Sequence, residues 1–160
     1  MAELSELSLG VRLFLRAYRW RRVTPTPWAA RRRPLHECRV ALISSAGATL
    51  PGQAEFDHDV RGGDSSFRIL PADARVADLR DGHRSWAFDH AGVRADPNLG
   101  MPLDRLHELA AGGEIGEVAP RHLSCMGSLT STGRLVRETA PAAVQTLVDD
   151  AVDVALLVPV

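Results

Sequence analysis

The sequence predicts an α/β fold: a mostly parallel sheet with flanking helices, a loop-rich middle and an N-terminal amphipathic helical arm. Three observations carry this. "RVALISSAG", Arg39 to Gly47, is a continuous apolar run that ends in small residues, as a strand buried on both faces does. "MPLDRLHELAAGG", Met101 to Gly113, carries both start and stop signals of a helix. "VALLV", Val154 to Val158, is a second apolar run of strand length after a long excursion that includes helices.

The elements follow in chain order. Leu4, Leu7, Val11, Phe14 (or Leu15) and Tyr18 recur at helical spacing, with Arg12, Arg16 and Arg19 on the other face, so residues 4–19 read as an amphipathic helix. "VTPTPW" follows, and its two prolines, one residue apart, force an extended connector. Arg31-Arg32-Arg33-Pro34 then leads into the first strand. The organisation expected is an arm over residues 1–36 and an α/β domain over 37–160, incomplete at its C-terminus. The arm is expected to pack on the domain or on a partner subunit.

Residues 48–101 are punctuated by Pro51, Gly52, Gly62, Gly63 and Pro97, with short strands expected near 66–70 and 83–88. Asp57, His58, Asp59, Asp64, His83, Asp89 and His90 fall here, where functional loops are expected. In the helix that follows, Pro102 takes a first-turn position and Asp104 lies near the positive end. Leu103, Leu106 and Leu109 form a stripe, and Gly112-Gly113 stops it. A last helix spans about 134–149, with Leu135, Val144, Leu147 and Val148 apolar and Pro141 kinking or restarting it.

Composition excludes several classes of function. A length of 160 residues suits one domain with a real core. No stretch approaches the roughly 18 uninterrupted apolar residues of a membrane span. Arg12, Arg16 and Arg19 break the only apolar run near the N-terminus, so no signal peptide is expected and the cytoplasm is the expected location. Cys38 and Cys125 do not make a disulfide framework. All 19 basic side chains are arginine. Within these residues that excludes a lysine Schiff base, a pyridoxal-phosphate anchor and a P-loop lysine. Nine arginines and one acid, Glu37, lie between Arg12 and Arg39, although the net charge is only -1. The arm explains this asymmetry, and neither nucleic acid nor membrane is expected as a partner.

Local constellations are weaker than this frame. "DHD" at 57–59 is the best local metal candidate, but no H-E-x-x-H or paired C-x-x-C accompanies it, and no metal is expected. His122 and Cys125, three apart in "HLSC", supply two ligands at most, or a nucleophile with a base if a turn joins them. An unpaired cysteine more often packs as a small hydrophobe. "GSLTSTG" at 127–133 has the composition of a phosphate-cradling loop without its lysine.

The ordered blocks "RLFLRAYRWRRVTPTPW", "RVALISSAG", "FDHDVRGGDSSFRILP", "DPNLGMPLDRLHELAAGGEIGEVAPRHLSCMGSLT" and "ETAP…VDVALLVPV" resemble the selenoprotein B family of glycine, sarcosine, betaine and D-proline reductases. The resemblance implies an oxidoreductase subunit that reductively cleaves the carbon–nitrogen bond of a small amino acid or N-methylated amine. A dithiol becomes a disulfide in that reaction. It implies a selenocysteine, or a cysteine in its place, directly after Val160, with a second cysteine two residues on. A UGA codon read as a stop after Val160 is therefore the expectation, as is inactivity of residues 1–160 alone.

The pocket is expected to be lined by Ser44, Ser45 and Gly47 at one strand end and Pro159 at the other, with Ser124 and Gly127 on the "RHLSCMG" turn. His122 and Cys125 are the candidates for chemistry among the residues present. No cofactor is expected within the chain. A partner reductase subunit, in the D-proline branch one bearing a pyruvoyl group, and a thioredoxin-like donor are implied, and a homo-oligomer is expected from uncovered sheet edge. Two departures stand out: Cys125 in "SCMG", where the family tends to an aromatic residue, and Ala151 at a helix end, where glycine is usual. The alternative readings are a non-catalytic binding or assembly protein and a metal-dependent hydrolase using the "DHD" and histidine loops.

Overall fold

The computed structural model describes residues 8–18 and 24–160, and the chain divides into two units, Met1–Ala30 and Arg31–Val160. In the first unit, α1 (Leu9–Ala17) is capped by Ser8, with Arg16 in its last turn where the helix dipole favours a cation. The expected helix positions 4–7 and 19 lie outside the described residues.

The second unit contains β1 (Arg39–Ser44), β2 (Ala48–Thr49), β3 (Phe67–Pro71), β4 (Arg80–Asp81), α2 (His90–Ala95), α3 (Leu103–Ala111), β5 (Glu117–Val118), β6 (Arg121–Cys125), α4 (Ala140–Asp149) and β7 (Val154–Val158). β1 is central, and β5, β6 and β7 all pair with it in parallel. β7 follows it from Val40 to Ser44, whereas β5 meets only Arg39–Val40 and β6 only Ile43–Ser44. A strand has two edges, so β5 and β6 share one and β7 takes the other. β3 adds antiparallel to the far side of β6, and β2 and β4 form a separate two-stranded ribbon.

The switch from β5 to β6 is made at Pro120, which has no N–H to offer β1. Ala119 still donates to Val40 O, but Leu42 N finds no backbone carbonyl and is taken by His122 Nδ1 at 3.0 Å. An imidazole thus replaces one rung of the ladder. On the same face Val40, Leu42 and Leu70 pack against Leu103 and Leu106 of α3, with Cys38, Met101 and Ile115 closing the core.

Several elements differ from the sequence pattern. Residues 83–88 form turns, not a strand. Ser85 N is held by His83 Nδ1 and Ala87 N by Ser85 Oγ, local bonds that compete with a ladder. Pro102 stands at the N-cap of α3, one position before the first turn. Leu109, Val144 and Val148 do not face the core. α4 instead seats through Thr146 and the half-buried Leu147, because Arg121 reaches up from β6 to Asp150 and to Thr146 O. Pro141 falls in the first turn of α4, the restart that the sequence allowed. A π-turn, Leu135–Thr139, precedes it, and Ala140 N bonds five residues back to Leu135 O. That widening accommodates the ring.

After α4 the chain turns through Ala151 at φ 51°, a left-handed conformation in which an L side chain is strained by roughly 1–2 kcal/mol. Ala151→Gly relieves that strain and adds some unfolded-state entropy. The expected net effect is stabilisation of about 0.5–1 kcal/mol. Urea denaturation of the two proteins measures it, and a loss of stability would contradict the geometry.

Candidate functional site

Because β1, β6 and β7 are mutually parallel through β1, their carboxyl ends meet at one edge of the sheet. Ser44 ends β1 and Ser45 follows it, Cys125 ends β6, and Pro159 follows β7. Two adjoining hollows open there, of about 270 and 360 Å³, and both are walled by Ile43, Ser45 and Cys125. Leu157 and Pro159 complete the first, and Met126, Gly127, Leu129 and Leu135 line the second. The walls are mainly apolar, with a few polar groups, the usual make-up of a small-molecule site.

Ser45 holds the end of β7 in place. Its N–H donates to Val158 O, and its hydroxyl accepts from Val160 N at 3.0 Å and donates to Val160 O at 3.2 Å. The backbone ladder ends here because Ser45 O is taken by Gly127 N, so Val160 N turns to the Ser45 hydroxyl. Ser44 is buried and structural: its hydroxyl donates to Gly100 O and accepts from Ala46 N. Gly47 donates to Cys125 O, tying the turn after β1 to the end of β6. Gly127 lies so close that a Cβ there would stand 2.9 Å from Ser45 O and 3.2 Å from His83 Nε2. The structure therefore brings Ser44, Ser45, Cys125, Gly127 and Pro159 together at the hollows, with Gly47 behind them.

His122 and Ser124 are placed differently. Both are fully buried in β6 and in neither hollow. His122 Nδ1 is an acceptor, so its proton sits on Nε2, which has no partner among the described residues. Burial, and then the neighbouring His107, push its pKa down to about 4. It is a neutral structural imidazole and cannot exchange protons with a molecule in the cleft. Cys125 is half-buried, and burial raises its thiol pKa, so it faces the cleft as a neutral thiol rather than a thiolate.

The "DHD" stretch goes to loop hydrogen bonds: Asp57 Oδ1 accepts from Asp59 N, and His58 Nε2 contacts Gly82 O. Among the described residues no three His, Cys, Asp or Glu side chains converge as metal ligands. Sequence reasoning placed His83 among loop candidates without a role. It is 7% exposed, stacks on Phe88 at 4.2 Å, and accepts Ser85 N at Nδ1. Its buried Nε2–H is left without a partner behind Gly127. Burial, and then His90, lower its pKa. Asp81, absent from the sequence-derived set, bonds His90 Nδ1 at 2.6 Å, raising the pKa of His90, and accepts His83 N. The eight residues between Asp81 and His90 carry no local signal for this pair.

The profile of the family "Glycine/sarcosine/betaine reductase selenoprotein B" matches residues 19–159. The D-proline reductase subunit gamma of Acetoanaerobium sticklandii is 32% identical over 136 residues, covering 84% of this chain and 54% of that protein. The sarcosine reductase complex component B subunit beta of Peptoclostridium acidaminophilum is 32% identical over 115 residues, covering 70% of this chain and 25% of its own length. The chain thus spans about half the length of the first relative and a quarter of the second. No solved structure matches it significantly. Among the described residues no helix is long and apolar enough to cross a membrane.

The His122 geometry gives a pH signature. Its native pKa of about 4 lies below the ordinary imidazole value of 6.5, so the unfolded chain binds more protons between those values. The neutral imidazole's contribution is complete above pH 6.5 and is lost as pH falls, by about 3 kcal/mol at pH 4. His122→Asn removes this component of the slope. Urea denaturation at pH 7 and pH 4.5 measures it, and an unchanged slope in the variant would contradict the assignment.

Proposed function

The chain belongs to the glycine/sarcosine/betaine reductase selenoprotein B family, and from that premise we propose that it works as an oxidoreductase subunit in reductive carbon–nitrogen bond cleavage. The observation that carries the proposal is the convergence of β1, β6 and β7 at one sheet edge, with the Ser45 hydroxyl bonded to both the N–H and the carbonyl oxygen of Val160. Ligands of open α/β sheets sit beyond the carboxyl ends of such strands. β7 is the strand that would present a reactive selenocysteine or cysteine, and the proposed position is the one directly following Val160, encoded by UGA or a cysteine codon.

In the proposed reaction a small amino acid or N-methylated amine lies against the apolar walls at Ile43, Leu157 and Cys125. The carbon–nitrogen bond breaks, and one C–H and one N–H bond form. The two electrons and two protons come from a dithiol, which leaves as a disulfide or a mixed selenide-sulfide. A selenolate suits this role because it is ionised at neutral pH and leaves readily, whereas the half-buried Cys125 thiol does not ionise there. Ser45 acts on the reactive residue by position: two bonds fix the backbone immediately before it. With Ser45 O held by Gly127 N, the backbone ladder stops and the chain can leave the sheet towards the cleft. The relatives are named as subunits of reductases, and the proposal accordingly includes a partner subunit, in a D-proline-type enzyme one carrying a pyruvoyl group, and a thioredoxin-like donor.

The test is amine release from sarcosine, or opening of D-proline, by protein made from the whole reading frame with its partner subunit and a dithiol. Activity is expected with the residue after Val160 intact and not with residues 1–160 alone. Ser45→Ala is expected to lower kcat roughly 5- to 100-fold, the equivalent of about 1–3 kcal/mol for the lost clamp. Activity of the 1–160 polypeptide, or none in the complete frame with partner and dithiol, would overturn the proposal.

A further inference from the structure

The loop "GSLTSTG" has a second role, which the strand-end site does not use. Thr130 N and Ser131 N both donate to Gly62 O, at 2.9 and 3.1 Å, and dock this loop on the segment 60–63. Gly62 and Gly63 have φ of 90° and 97°, and a Cβ on Gly63 would stand 2.6 Å from Leu129 and 2.7 Å from Ser128 O. Only glycine permits that approach. Between the two loops lies a cleft of about 210 Å³, lined by Arg61, Gly63, Ser65, Ser131, Arg134 and Arg137.

Three arginines line this cleft, and no acidic residue does. Arg61 and Arg137 have no ion pair among the described residues. Arg134 has only a 3.9 Å contact with Glu138, with both side chains two-thirds exposed. Asp59, two residues before Arg61, does not line the cleft, and Asp64, three residues after it, is already engaged. Its oxygens accept from Asp57 N, Ser66 N and Ser66 Oγ, and it lies 3.7 Å from Arg68.

The charge also runs against the helix. A helical run begins at Gly133, so Arg134 and Arg137 sit in its first turns, where the backbone dipole is positive. Arg137 Nη1 even folds back to 3.2 Å from where a Cβ on Gly133 would stand. Like charges gathered there destabilise one another unless an anion is present. A separate observation points the same way. Ser65 is 6% exposed and lines the cleft, yet its hydroxyl has no hydrogen-bond partner among the described residues. The hydroxyl is not walled off from solvent, so it is free to donate to an oxyanion that enters the cleft.

We propose that this cleft binds a small oxyanion, a carboxylate or a phosphate, through Arg61, Arg134, Arg137 and Ser65. Arginine suits this because its planar fork matches both groups. Ser65 also lines the larger hollow of the strand-end site, so the two spaces share a wall. On the reductase reading, on which this identification alone rests, the oxyanion is the carboxylate of the amino-acid substrate.

Isothermal titration of the purified whole-frame protein in low-chloride buffer tests the site without requiring turnover, so it can succeed or fail independently of the reductase assay. The probes are D-proline, sarcosine and inorganic phosphate. At least one is expected to bind saturably, with affinity falling tenfold or more in Arg61→Gln and in Arg137→Gln. Ser65→Ala is expected to cost a few-fold, and Arg75→Gln, which removes one exposed charge paired with Asp78, is expected to leave binding unchanged. Binding of the amino acids but not phosphate supports the substrate carboxylate. Binding of phosphate alone keeps the oxyanion site and overturns its identification with substrate. No binding of any probe, or full affinity in the folded arginine variants, would overturn the site itself.

Discussion

The pairing of β7 with β1 is the constraint on which the rest depends. Five residues run in register, Val40 to Ser44 against Val154 to Val158, and each end is clamped by side chains. At the start, Asp153 takes Arg39 N on its carboxylate and donates its own N–H to Arg39 O, with Arg33 3.4 Å from the same carboxylate. At the finish, Ser45 takes both polar groups of Val160. Because the two strands are parallel, this pairing delivers the residues after β7 to the same edge as the end of β1. A slip of one residue would turn Leu157 to the opposite face and move Pro159 away from Ser45.

The other edge of β1 is built with different materials. Pro120 forces a break between β5 and β6, and the imidazole of His122 bridges it by accepting the Leu42 N–H. The arrangement keeps β6 parallel to β1 through its last residues, which is what places Cys125 and Gly127 opposite Ser45. His122 is thus committed to the sheet, with its basicity suppressed by burial. His83 is held by local turn bonds and leaves its Nε2–H unpartnered behind Gly127, close to the cleft floor. Both are histidines of the same chain, and their different surroundings assign them different work.

The strands were legible because continuous apolar runs admit few other readings: "RVALIS" and "VALLV" are β1 and β7, and "FRIL" lies in β3. Pairing partners were not legible, since nothing local says that β3 runs antiparallel to β6. The turn at 83–88 misled because its aromatic residues suit a strand, while the bonds that fold it come from His83 and Ser85 side chains. Val144 and Val148 misled for a related reason: helical spacing identifies an apolar stripe but not which stripe is buried, and the Arg121–Asp150 pair decides that. Residues of the candidate site at strand ends were reachable from the rule about carboxyl ends. The arginine cleft was not, because Arg61 and Arg137 are brought together only by Gly62–Gly63 docking on Leu129 and Ser131.

On the proposed function, β7 presents its next residue to the cleft of Ser45, Cys125 and Gly127 as the reactive group. Mapping the site of alkylation by mass spectrometry tests this most directly. Whole-frame protein is reduced with a dithiol and treated briefly with iodoacetamide at neutral pH. The account predicts modification at the residue following Val160, protection of that residue by bound substrate, and little modification of Cys125, whose thiol stays protonated. Modification of Cys125 in preference to that residue, or no effect of substrate on either, would contradict it.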